Sequence, residues 1–264
     1  VTMNAAPSAP VVSIKPEFPG SGDDLFATIV FEASDPNANQ TVTYTYEWKR
    51  NGQPVDLPGA VMPAAETSKG ELWRVTVTPT DGFLTGTAAV AQTTVGNGLP
   101  SCTTVALDPP SPAAGEAVSC ICNDWVDPDE GDMPGETICQ WLVSGQQVAV
   151  DGCTAPGGFA EKGATIQCVG IATDGLAEGV GKLSPEVVIG NAAPTVVSVA
   201  VVAAGIGDAC DAFACEAQTA DADNDDVTIE WAWILNGDMV PGAVSPAYDG
   251  PALNPNDVLA CLVT

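Results

Sequence analysis

The sequence predicts an all-β chain built from tandem copies of one unit of about 93 residues. Three observations predict it: landmarks return in a fixed register, the segments between turns alternate with period two, and no segment carries a capped helical period.

The register comes first. "NAAP" at Asn4 returns as "NGLP" at Asn97 and as "NAAP" at Asn191, steps of 93 and 94 residues. Trp48, Trp141 and Trp233 follow these asparagines by 42 to 44 residues. A turn follows each Trp, at Asn51-Gly52, Ser144-Gly145 and Asn236-Gly237. An acidic or amide loop precedes each Trp: "SDPNANQ" from Ser34, "VDPDEGD" from Val126 and "ADADNDD" from Ala220. "PTDG" ending at Gly82 matches "ATDG" ending at Gly175.

The strands come next. "TVTYTYEW" from Thr41 and "LWRVTVT" from Leu72 are β-branched and aromatic with strict alternation, and Gly, Pro, Asn and Asp punctuate at short intervals. About seven short strands around one tryptophan describe an immunoglobulin-like sandwich. The expected fold class is therefore tandem immunoglobulin-like β-sandwich domains in a linear array. Residues 1–3 read as the end of a preceding repeat, 4–96 as the first repeat, 97–190 as the second, and 191–264 as a third that lacks its strand G. A missing strand would be supplied by a continuing array or donated by another chain.

The cysteines fit such sandwiches. Cys215 and Cys261 are 46 residues apart and flank Trp233; Cys122 and Cys168 have the same separation and flank Trp141. This is the pattern of an inter-sheet bridge packed on a core tryptophan, with Ile29 and Val75 in its place in the first repeat. Cys120 competes with Cys122, because residues two apart face the same side of a strand; spacing favours Cys122. Cys139 and Cys153 flank the Ser144-Gly145 turn and are expected to staple it. Cys102 and Cys210 have no assignable partner, and nine cysteines leave one over.

Composition excludes several functions. Thirty-four Asp and Glu against seven Lys and Arg give a net charge of −27, unsuited to phosphate backbones or anionic membranes. The absence of histidine removes the commonest general base and every Ser-His or Cys-His nucleophile. Without a CxxC pair, zinc ribbons and thioredoxin-like motifs are unsupported, and the cysteines read as structural disulfides of an oxidising compartment. No apolar run approaches a membrane span, and no signal peptide stands in this stretch.

The run of "DPDEGD", a strand ending in Trp, a turn, "TPTDG" and "GNAAP" resembles the tandem Ig-like or PKD-like repeats of large secreted and cell-surface bacterial proteins, across the whole chain. The resemblance implies an extracellular, non-enzymatic stalk, adhesin or filament component. Its partners would be neighbouring repeats, copies of itself, or a cell-surface or matrix ligand. An accessory module of a secreted hydrolase, or a carbohydrate-binding module using Trp125, is the alternative.

In such a sandwich the B–C and F–G loops share one end, where the linkers "GNGLP" and "GNAAP" arrive. Asp127, Asp129, Asp132 and Asp174 are candidate Ca²⁺ ligands there, as are Asp221, Asp223 and Asp225. Asp35 and Asp81, with Asn37 and Asn39, form a sparser third set. Calcium takes six to eight oxygen ligands, and crowded carboxylates repel unless a cation neutralises them. The alternative is a solvated acidic turn.

Trp48, Trp141 and Trp233 are the expected core tryptophans, with Trp231 on the same face as Trp233 and Trp73 along strand F. Trp125 is expected at a loop edge. "NQT" at Asn39 fits a glycosylation sequon. The first repeat holds five of the seven cations and the third holds none, an asymmetry that allows contacts between unlike repeats.

Overall fold

The computed structural model describes residues 3–37, 40–203 and 212–264. Cys210 and Asn39 lie outside the described residues. The structure is all-β, with twenty short strands and one 3-10 turn at Ala64–Glu66 among the described residues. No helix among them is long and apolar enough to cross a membrane.

The first repeat contributes β1 (Val11–Lys15), β2 (Leu25–Phe31), β3 (Thr43–Arg50), β4 (Gln53–Val55), β5 (Val61–Met62), β6 (Leu72–Thr80) and β7 (Ala89–Thr94). They form sheets of order β1-β2-β5 and β4-β3-β6-β7. The second contributes β8 (Ser101–Asp108), β9 (Val118–Val126), β10 (Ile138–Val143), β11 (Gln146–Val148), β12 (Thr154–Ala155), β13 (Thr165–Ile171), β14 (Lys182–Leu183) and β15 (Val187–Val188). Its sheets are β12-β9-β8 and β11-β10-β13-β14, with β15 also on β13. The third contributes β16 (Thr195–Ala203), β17 (Phe213–Ala220), β18 (Trp231–Leu235), β19 (Asp238–Met239) and β20 (Leu259–Val263), in sheets β16-β17 and β19-β18-β20. The same two antiparallel sheets thus recur, with the central strands in the same order. This is the immunoglobulin-like sandwich, in tandem.

By contacts the chain divides into two compact units. One comprises residues 1–106, 120–139 and 168–184; the other comprises 107–119, 140–167 and 185–264.

In the first unit, alternation on β6 buries Trp73, Val75 and Val77, while β3 turns Tyr44, Tyr46 and Trp48 to the same side. Trp48 and Trp73 meet edge to face with ring centroids 6.3 Å apart. On β2 the buried residues are Leu25 and Ala27, whereas Ile29 is only half-buried. The same phase governs the disulfides. Cys120, 93 residues after Ala27, pairs with Cys168, 93 residues after Val75. The expected Cys122–Cys168 pair is therefore corrected: Cys122 bonds instead to Cys102 on the neighbouring strand β8. The reason is strand geometry. Residues two apart share a face, so spacing cannot separate Cys120 from Cys122. Cys120 occupies the buried position, and Cys122 lies where β8 can reach it.

In the second unit, Trp141 meets Phe159 edge to face at 5.5 Å, and Trp233 meets Tyr248 at 5.2 Å. Trp233 clusters with Cys215 and Ala243, with Trp231 and Cys261 packed against them, and a Cys215–Cys261 disulfide joins β17 to β20. Cys139 and Cys153 are each disulfide-bonded.

One bond repeats in all three repeats. The indole Nε1–H of Trp48, Trp141 and Trp233 donates to a carbonyl eleven or twelve residues on: Gly59 at 3.0 Å, Gly152 at 3.1 Å and Ser245 at 2.9 Å. A buried indole needs such an acceptor, and the connection that follows β4, β11 and β19 supplies it.

Candidate metal centres at the repeat joints

Each acidic loop is locally self-organised. Asp35, Asp127 and Asp221 accept, through Oδ1, the backbone N–H two residues on, at 2.6, 2.7 and 2.9 Å. Such a turn needs Asp or Asn, which explains the residue type without reference to a metal. The residue it presents then reaches back to the linker. Asn37 Oδ1 accepts the Ala5 N–H at 2.7 Å, Asp129 Oδ2 accepts the Gly98 N–H at 2.7 Å, and Asp223 Oδ2 accepts the Ala192 N–H at 3.0 Å. The linker asparagine ties down the F–G turn: Asn4 Nδ2 donates to Asp81 Oδ2 at 2.8 Å, and Asn97 Nδ2 donates to Asp174 Oδ2 at 2.6 Å.

These bonds leave part of each loop unpaired. Asp35 Oδ2, Asp127 Oδ2, Asp129 Oδ1, Asp221 Oδ2 and Asp223 Oδ1 are buried and accept no hydrogen bond from the described residues. The side chains of Asp129 and Asp223 are only 3% and 2% exposed. A buried carboxylate oxygen without a partner is costly, and here the same cost recurs at equivalent atoms of two joints.

Two clusters bring three carboxylates together, with one oxygen from each lying within 4.8 Å of the others: Asp127, Asp132 and Asp174 in the first unit, and Asp221, Asp223 and Asp225 in the second. Asp129 belongs to the first joint through its linker bond and its bare oxygen. Asp35 and Asp81 form no three-carboxylate cluster among the described residues. They accept separate bonds, Asp35 within its loop and Asp81 from the N–H groups of Phe83 and Leu84, both 2.7 Å, and from Asn4.

The electrostatics follow from this placement. Burial raises the Asp127 pKa, and the neighbouring charges of Asp129, Asp174 and Asp132 add to the rise. The Asn97 side chain and then the Ala177 N–H hold Asp174 down to about 2. Backbone bonds, chiefly from Leu84, hold Asp81 below its ordinary value.

Each acidic cluster also meets a lysine that sequence reasoning overlooked. Lys69 Nζ lies 2.9 Å from Asp132 Oδ2 and 2.6 Å from Asn97 Oδ1. Lys162 Nζ lies 2.5 Å from Asp225 Oδ1 and 3.1 Å from Asn191 Oδ1. The signal was present: "KG" at Lys69-Gly70 returns 93 residues on at Lys162-Gly163, in a chain with seven cations.

Trp125 stands at the loop edge as expected, one residue before the end of β9. It is half-buried, and its indole donates to the Thr173 carbonyl at 3.1 Å.

The donor chemistry fits a hard divalent cation. The bare atoms are carboxylate oxygens, neither histidine nor free thiolate is among the donors, and calcium accepts irregular oxygen sets at modest cost.

No protein-family model matches the chain, and no curated protein matches it. Among solved structures it is similar to the fibronectin(III)-like modules of Clostridium thermocellum CbhA, at 14% identity over 68% of this chain and 94% of that one, with a TM-score of 0.30. It is also similar to the FN1–FN3 domains of chicken CNTN1, at 11% identity over 98% of this chain and 89% of that one, with a TM-score of 0.31. A third is a Ca²⁺-stabilized adhesin of an Antarctic bacterium, at 13% identity over 99% of this chain and 67% of that one, with a TM-score of 0.27. It is the strand order described above that makes each repeat an immunoglobulin-like sandwich.

Proposed function

We propose that this chain is part of an extracellular structural or adhesive array, the stalk of an adhesin or a filament component, whose joints are stiffened by calcium. One observation carries the reading: the same polar network, with the same bare carboxylate oxygens, stands at two successive joints. Chemistry that recurs with the repeat serves the connection between repeats, whereas an active site needs one unique constellation. This recurrence supports a connecting role for these carboxylates.

Three supports join it. The Cys102–Cys122, Cys120–Cys168 and Cys215–Cys261 disulfides suit an oxidising, extracellular setting. The acidic surface keeps copies apart in solution and concentrates cations near the joints. The linkers are short and bonded on both sides, upstream through the Gly96 N–H to the Pro19 carbonyl and downstream through Asn97 and Gly98 to Asp174 and Asp129, which favours a set angle over a free swivel. Partners are then neighbouring repeats, further copies, or a ligand on a cell surface or matrix.

At each joint, Asp127, Asp129, Asp132 and Asp174, or Asp221, Asp223 and Asp225, would hold the ion. It would neutralise carboxylates that otherwise repel and tie the linker to the following loop. A calcium titration followed by melting temperature tests this. A rise at millimolar calcium that chelator reverses is expected; no shift removes the calcium reading.

A further inference from the structure

The lysine at each joint comes from the repeat upstream, while the carboxylates it meets come from the repeat downstream. Lys69 reaches Asp132 at 2.9 Å and Asp129 at 3.9 Å; Lys162 reaches Asp225 at 2.5 Å and Asp223 at 3.6 Å. Both are placed by the same device. The following glycine, at φ 84° or 82°, donates its N–H to the carbonyl of Val95 or Ile189, both within 3 Å. The backbone turn thus aims both lysines identically, and φ in this range is why Gly follows each.

Depth separates the ammonium from the bare oxygens. The lysine side chains are 35% and 36% exposed, so each Nζ sits at the rim, whereas Asp129 and Asp223 beneath them are nearly sealed. The bare atoms, Asp127 Oδ2, Asp129 Oδ1, Asp221 Oδ2 and Asp223 Oδ1, are not the ones the lysines touch. An ammonium at the rim leaves those oxygens unpaired, yet stands close enough to repel a divalent ion arriving at them.

We propose that Lys69 and Lys162 are internal cations that compete with a divalent ion for the joint carboxylates. Without the ion, the ammonium neutralises Asp132 or Asp225 and holds the linker asparagine, so the joint stays closed at low calcium. When the ion takes the bare oxygens, the lysine swings out to water, which its exposure and flexible stem permit. The cost of displacing it weakens the site, so that it fills only where calcium is abundant, as it is outside cells. This inference rests on the calcium reading above.

The test uses the whole 264-residue chain, starting in chelator and adding calcium chloride to about 10 mM, above the range typical of extracellular modules. Melting temperature is followed for the wild type, K69M/K162M and K69R/K162R. The methionine variant is expected to melt lower than wild type in chelator and to reach half-saturation at roughly tenfold less calcium. The arginine variant, which keeps the charge, is expected to follow wild type. Equal half-saturation in all three overturns the competition and leaves calcium binding standing. If none responds to calcium, the calcium reading falls and the competition falls with it.

Discussion

The Asn97 side chain donates to Asp174 at 2.6 Å, so the first residue of the second repeat is tied to the F–G turn of that same repeat, and Asn4 is tied to Asp81 in the same way at 2.8 Å. Asp174 also accepts the N–H groups of Leu176 and Ala177, both 2.6 Å. Together these hold its pKa at about 2, below the ordinary 3.8. A carboxyl depressed on folding contributes stability that is fully present above about pH 4 and lost as pH falls toward 2. Asn97→Ala removes the largest of these causes. In chelator, the variant is expected to be less stable than wild type at pH 6, with the gap closing below pH 2. Urea melts across that range check it; a gap that does not change with pH would show that the asparagine acts by packing alone.

The close approach of linker and acid loop sets a second expectation. A Cβ at Gly98 would lie 2.3 Å from Pro128 Cγ and 2.5 Å from Ser21 Oγ, whereas one at Gly22 would lie 3.6 Å from Pro128 Cγ, in ordinary contact. Gly98→Ala is expected to cost about 1–3 kcal/mol, as overpacking does. Gly22→Ala should be near neutral. Equal effects in denaturant titrations would mean that the loop simply yields.

The disulfides give a third. The first repeat packs the equivalent positions without a bridge, since Ala27 and Val75 stand where Cys120 and Cys168 pair in the repeat that follows. The double variant C120A/C168V is expected to fold and to lose roughly 2–4 kcal/mol. Peptide mapping of the unreduced wild type should recover Cys120 joined to Cys168 and Cys102 joined to Cys122. A Cys122–Cys168 peptide would refute this arrangement.

Asp127 behaves in the opposite sense to Asp174. Burial and three neighbouring carboxylates raise its pKa, so without a cation its charge opposes folding above about pH 4. Asp127→Asn keeps an oxygen to accept the Asp129 N–H and removes that charge. In chelator the variant should match or exceed wild type in melting temperature, and with calcium it should gain less. A variant that is weaker in chelator and gains fully with calcium would remove Asp127 from the site.

Much of this was legible in the sequence because the repeat displays itself three times. Trp48, Trp141 and Trp233 are large, rare and in phase, and the need to bury them on alternating strands fixes the sandwich. The acid loops were legible as candidate ligands, since Asp and Asn alternate in "ADADNDD". Which oxygens stay bare was not, because that depends on backbone donors from the linker, such as Gly98 and Ala192. The Cys120 and Cys122 choice was lost to the period-two degeneracy of a strand. Trp125 was legible at a loop edge because the acidic loop "DPDEGD" follows it within two residues. Lys69 and Lys162 were passed over because a lone cation in an acidic chain reads as solvated, until its partner from the next repeat is seen.

That each joint draws its ammonium from one repeat and its carboxylates from the next bears on how such chains can be cut and recombined. A break at Asn97 or Asn191 leaves a lysine without its carboxylates on one fragment and a sealed acid loop without its lysine on the other. A sandwich excised at its apparent borders would carry half a connector at each end. The portable part of this chain is the connector, running from the lysine of one sandwich through the linker to the acid loop of the next, and swaps that respect it should keep the lysine and its carboxylates together.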